Sequence, residues 1–175
     1  ARLQAMTEAV QGLRQSKAGA EEETRLLNPR AQVEAIVGLV DGAGKVFVCG
    51  LGDDGLFARE FAMRLSLLDV LVVHHSDPIL MMANLSATRP DDVLLVFSEF
   101  GQLPVLCQLS RQFQACHATL VVSAHDPAPH IEQLLYRSSL QYLLDFLFVL
   151  LCRANPERHR QLGINLERIQ HLLDA

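Results

Sequence analysis

Two short runs in this chain have the residue types and spacing to do chemistry. Gly50-Leu51-Gly52-Asp53-Asp54-Gly55 has the spacing G-x-G-x-x-G, and Ser98-Glu99-Phe100-Gly101-Gln102-Leu103 places a hydroxyl close to a glycine. Glycines let a backbone approach a phosphate, and the N–H groups at a helix start attract anions. A serine and a glycine between strand and helix can form an anion cup in the same way. In the first run, however, Asp53 and Asp54 stand where a pyrophosphate would lie. Two carboxylates repel an anion; they suit the start of a helix, which they cap and whose dipole they complement. No dinucleotide or other cofactor is expected. The second run stays open between an anion cup and an ordinary turn in which Ser98 bonds nearby backbone.

Acid–base chemistry would need a positioned Glu or His. Glu99 follows the third apolar run, His74 and His75 end the second, and His125 follows the fourth, close to Ser123. Histidines in such places are commonly half-buried hydrogen-bonders, so no catalytic residue is assigned. No metal is expected either. His74 and His75 are adjacent and would point to opposite faces of a strand, Asp126 and His130 share a helix face only if their helix starts early, and no ligand set has zinc spacing.

The elements that must position these residues alternate. Leu3, Met6, Val10 and Leu13 mark a helix over 3–15, followed by a polar loop over 17–24. Asn28-Pro29 reads as an N-cap with proline at the first helical position, opening a helix that carries Val33, Ile36, Val37 and Val40 inward. Apolar strands are expected at 45–49, 70–74, 93–97 and 119–122, and helices at 56–67, 79–85 and 103–115. A further helix begins at 129–135, and two final ones run over 138–153 and 156–173. Continuous apolar strands separated by helices argue for a parallel sheet covered on both faces. Such sheets bind ligands beyond the C-terminal ends of their strands. Gly50, Gly52, Asp53 and Asp54 fall there, as do Ser98 through Leu103, Ser123 and His125. Met81 and Met82 are expected to pack.

A chain of 175 residues suits one domain, and half of it is apolar. The formal net charge is -5 with no basic stripe, a poor match to a phosphate backbone. Cys49, Cys107, Cys116 and Cys152 form no C-x-x-C pair and read as reduced structural thiols of a cytoplasmic protein. The N-terminus lacks the apolar segment of a signal peptide. The longest apolar stretch, Leu140 to Cys152, is interrupted by Gln141 and Asp145 and falls short of the roughly 20 residues that span a bilayer. No membrane partner is expected. The chain opens on Ala1, and a fragment of a longer protein is expected.

The order of these elements resembles the sugar isomerase (SIS) domain of RpiR-type transcription regulators. The resemblance rests on Lys45-Val46-Phe47-Val48-Cys49-Gly50-Leu51-Gly52 with the helix Ala58 to Leu65, on Ser76-Asp77-Pro78 with Ala83-Asn84-Leu85, and on Asp91 to Ser98. It continues through Ala118 to Ser123 and Gln141 to Phe148. It covers about residues 28–153. It implies a three-layer αβα sandwich with a mostly parallel, flavodoxin-like doubly wound sheet, residues 28–175 forming the ligand-binding domain and 1–27 an N-terminal linker helix and loop. It also implies a sugar phosphate or related carbohydrate derivative as effector, a homodimer or tetramer, and DNA contact only through a helix-turn-helix domain that this sequence does not include.

The family holds a sugar phosphate in a Ser-x-Ser-Gly-x-Thr loop. Here Ser98 and Gly101 remain, but Phe100 stands at the second serine, Leu103 at the threonine, and Asp54 where the first loop has a serine. Two donors are lost and an anion is gained, and a buried phosphate without donors is costly. A polyol, amino sugar or other neutral or cationic molecule would suit Asp53, Asp54 and Glu99 better. The family's fifth strand has no counterpart here, because Tyr136-Arg137-Ser138-Ser139 runs almost directly into the last apolar helix; the strand is either deleted or belongs to a stretch that this sequence omits. That helix, Leu140 to Cys152, is apolar nearly all round and is expected to face a partner subunit. The expected function is effector sensing and oligomerisation in a regulator; a sugar-phosphate isomerase and a ligand-free dimerisation module are the alternatives.

Overall fold

The computed structural model of the chain describes residues 1–99 and 118–175. The elements in chain order are α1 (Arg2–Leu27), α2 (Arg30–Asp41), β1 (Val46–Gly50), α3 (Asp53–Leu67), β2 (Val72–Val73), α4 (Pro78–Leu85), β3 (Val93–Phe97), α5 (Pro129–Ala154) and α6 (Pro156–Leu173). The expected helix over 103–115 lies outside the described residues. By contact the chain divides into two compact units, Ala1–Val33 with Thr119–Phe146, and Glu34–Ala118 with Leu147–Ala175.

The second unit holds the sheet. Its described strands lie in the order β2-β1-β3, all parallel. β1 is central because Val46, Phe47, Val48 and Cys49 are apolar without a break and can be buried on both faces. On one face Phe47 and Cys49 pack with Met81 and Leu85 of α4 and with Val73 and Leu94. Side chains alternate along a strand, so Val46, Val48 and Phe97 take the other face. There the Phe97 ring meets Phe61 of α3, centroids 6.1 Å apart. Helices thus cover both faces, which is the αβα layering expected. Burial pushes the Cys49 thiol up to about 11, an inert group.

α6 is docked by polar contacts. Arg158 donates to the Asp41 carboxylate at 2.5 Å, to the Asp41 carbonyl at 2.9 Å and to the Leu68 carbonyl at 3.1 Å. Asn165 Nδ2 donates to the Leu67 carbonyl at 2.9 Å. These bonds supply the carbonyls left over at the ends of α2 and α3 with donors. Burial raises the Asp41 carboxyl, but the bonds from Arg158 and Asn155 and the guanidinium charge outweigh it and hold it below its ordinary value.

The first unit departs most from expectation. α1 is one helix of 26 residues and includes the stretch expected to be a loop. That stretch contains good helix formers and an exposed Glu22–Arg25 pair, and its Ala20 and Thr24 are buried, so packing on one face holds it helical. Asn28 is not an N-cap. Its Nδ2 donates to the Thr24 carbonyl, and its amide is otherwise turned to Val121. The expected fourth strand at 119–122 is not a strand: the backbone groups of residues 119, 121 and 123 bond side chains of Gln32, Asn28 and Thr24. The helices expected to be separate around residue 136 are one, α5, which runs unbroken through Tyr136, Arg137, Ser138 and Ser139. β2 is two residues long rather than five, so His74 and His75 follow it.

α5 is 26 residues long and, by length and composition alone, apolar enough to cross a membrane, more than the sequence pattern indicated. Its Leu140, Leu143, Leu144, Leu147 and Leu151 are buried within the chain, the mark of a core helix. Val149 remains 44% exposed, with Tyr142 and Phe146 half-buried and stacked at 6.2 Å. Met81 is buried as expected, but Met82 is exposed.

Candidate functional site

β1 and β3 run side by side with Gly50 opposite Phe97, so the loops leaving them emerge together at one end of the sheet. In the order β2-β1-β3 the chain crosses from β2 over β1 to β3. The β1–β3 boundary is therefore where successive crossovers diverge, the place where open α/β sheets leave a crevice. Local chemistry tightens the first loop. A Cβ on Gly50 would sit 2.6 Å from the Asp54 carbonyl oxygen, so no side chain fits there. Gly52 closes the turn at φ 59°, ψ -130°, a conformation that L side chains rarely adopt.

α3 then starts with Asp53 and Asp54 in its first turn. Asp53 is exposed, whereas Asp54 is only 8% exposed. The Asp54 side chain crosses to the neighbouring loop, where Oδ2 accepts the backbone N–H of Glu99 at 3.0 Å. A helix N-terminus beside loop N–H groups is an anion site. Here a carboxylate of the chain itself stands at that N-terminus and takes one of those N–H groups. Ser98 is half-buried and Glu99 exposed at the same end of the sheet.

Of the residues expected to contact ligand, the structure thus brings together Gly50, Gly52, Asp53, Asp54, Ser98 and Glu99. Phe100, Gly101, Gln102 and Leu103 lie outside the described residues. Ser123 and His125 belong to the other compact unit. His125 is exposed, while Ser123 is 2% exposed, donates its N–H to Thr24 Oγ1 at 3.0 Å, and has a buried hydroxyl with no partner among the described residues. His74 is fixed rather than free. Its Nδ1 lies 2.8 Å from the Val48 carbonyl, which can only accept, so Nδ1 carries the proton. The sequence marks Asn28 only as an N-cap, and it does not mark Thr24 or Gln32 at all. Their partners lie 99, 93 and 87 positions away, and nothing local marks such a pairing.

The layering, the parallel order and the paired loops define a doubly wound α/β module of the kind that takes a small metabolite at its strand ends. The SIS domain profile matches residues 40–132, more than half of the 175 residues, and the chain belongs to that family. No curated protein sequence matches it. Solved structures agree on the fold. The sugar isomerase domain of an RpiR transcription factor from Sphaerobacter thermophilus aligns with TM-score 0.75 at 16% identity, covering 90% of this chain and 97% of that one. The Vibrio vulnificus NanR protein, complexed with ManNAc-6P, aligns with TM-score 0.79 at 18% identity over 94% of this chain and 69% of its own. A Listeria monocytogenes protein provisionally assigned as a sugar-phosphate isomerase gives 0.74 at 15% identity, over 92% and 96%.

Proposed function

We propose that this SIS domain is the effector-sensing half of an RpiR-type transcription regulator. It binds a carbohydrate derivative at the ends of β1 and β3, and it does so without catalysis. Residues 28–175 are the ligand-binding domain, and α1 is the linker toward a DNA-binding helix-turn-helix that this sequence does not include. The protein works in the cytoplasm as a homodimer or tetramer, using the face of α5 that carries the exposed Val149 and the half-buried Tyr142 and Phe146.

The bond from the Glu99 N–H to Asp54 carries the choice of ligand. With that N–H engaged and a carboxylate at the start of α3, a phosphate there would meet repulsion and find one donor fewer. A polyol, an amino sugar or an unphosphorylated sugar instead offers hydroxyl or ammonium donors to Asp53, Asp54 and Glu99. NanR, whose fold this chain shares, binds a phosphorylated amino sugar. In this domain the carbohydrate is kept and the phosphate is not.

A thermal-shift panel tests it, since a ligand that binds the folded state alone raises the melting temperature. Unphosphorylated sugars, amino sugars and polyols are set against sugar phosphates. A shift confined to the unphosphorylated compounds is expected. A shift with sugar phosphates alone would overturn the ligand assignment, and turnover of any of them would overturn the non-enzymatic reading.

A further inference from the structure

Residues 119–123 present a row of backbone groups that need partners, and among the described residues no strand pairs with them. Their partners come from the α1–α2 junction. Gln32 Nε2 donates to the Thr119 carbonyl. Asn28 bonds Val121 twice, its Nδ2 donating to the carbonyl at 2.6 Å and its Oδ1 accepting the N–H at 2.7 Å. Thr24 Oγ1 accepts the Ser123 N–H at 3.0 Å. The pairing is regular: every fourth residue across the α1–α2 junction meets every second residue of the segment 119–123, in opposite directions. A side-chain ladder thus does for this segment what a neighbouring strand would do. Thr24, Asn28 and Ser123 are buried, so an unpaired group there would stay unpaired at a cost.

We infer that Thr24, Asn28 and Gln32 form a latch that makes the order of residues 119–123 and the order of the C-terminal end of α1 depend on each other. Neither side can leave without stranding the buried polar groups of the other. The regulatory meaning rests on the sensor reading above. In that reading, whatever changes the order of residues 119–125 also changes α1, the helix proposed to lead toward the DNA-binding head.

Hydrogen exchange followed by mass spectrometry on the whole chain tests the latch. In Asn28→Ala, amides of residues 119–123 and of 20–27 should exchange faster together, by roughly tenfold or more, while those of β1 stay protected. Gln32→Ala, which removes the exposed outer rung, should move both segments in the same direction by less. Loosening of one segment without the other, or equal loosening of β1, would overturn the latch in favour of an ordinary stabilising contact. Should Asn28→Ala not fold, Asn28→Asp and Gln32→Ala decide. Asn28→Asp keeps an acceptor for the Val121 N–H but has no donor for the Val121 carbonyl. A second arm adds glucosamine or mannitol to the native chain, with inorganic phosphate as the anion control. Protection of 119–125 that leaves 20–27 unchanged overturns transmission through the latch. No response to any compound counts against the sensor reading, and the variants alone then judge the latch.

Discussion

Asp54 and Glu99 are 45 positions apart, yet the carboxylate of one takes the backbone N–H of the other at 3.0 Å. The contact joins the first turn of α3 to the loop after β3, because Gly50 and Phe97 are paired in the sheet. It stands at the start of α3, where a foreign anion would otherwise be attracted.

Replacing Asp54 by Ser should therefore change ligand preference rather than abolish binding. The variant removes one negative charge and frees the Glu99 N–H. Sugar phosphates should begin to raise its melting temperature, and the shift with amino sugars should shrink. An unchanged preference would show that the carboxylate is structural. Asp54→Ala should cost about 2 kcal/mol of stability, as lost hydrogen bonds to charged groups do, measured by urea unfolding.

The Arg158–Asp41 contact should appear in the acid limb of stability. The Asp41 carboxyl is held below its ordinary 3.8, so the folded state binds its proton less readily than the unfolded state. Its contribution is fully present above about pH 4 and disappears as pH falls through the lowered value. Arg158→Ala should lower stability at neutral pH by about 2 kcal/mol, since it also strips a donor from two carbonyls. Its melting temperature should then depend less on pH below 4. Parallel slopes for both proteins would refute the assignment.

Two glycines should respond in opposite ways to alanine. At Gly50 the new Cβ would meet backbone at 2.6 Å and 2.7 Å, so the turn must shift, at a cost of roughly 1–3 kcal/mol. Gly12 lies in the exposed part of α1 with nothing within 4 Å. Alanine there should stabilise by about 0.5–1 kcal/mol. Thermal unfolding of the two variants checks the signs.

If α5 forms the contact between subunits, Val149→Asp should weaken it. Val149 is 44% exposed within the chain, so the substitution leaves the core of the subunit intact. Sedimentation velocity should show the dimer giving way to monomer at micromolar concentration. An unchanged assembly would move the interface elsewhere.

The sequence by itself determined the central strand and its first loop. An unbroken apolar Val46-Phe47-Val48-Cys49, short and ended by glycine, reads as a strand buried on both faces, and the glycines after it admit a tight turn into a helix. Those are local facts of burial, side-chain volume and backbone freedom. The tertiary structure decided the rest, where non-local contacts override local preference. The polar stretch before Asn28 reads as loop, but burying Ala20 and Thr24 keeps it helical. Thr119 to Val122 has the composition of a strand, but the partners of its backbone are Gln32 and Asn28, with Thr24 taking the next rung at Ser123. Asn28 before a proline reads as an N-cap, yet its amide completes two bonds to Val121. A side chain with both donor and acceptor can satisfy several partners, and which it meets is set by what the fold brings within 3 Å.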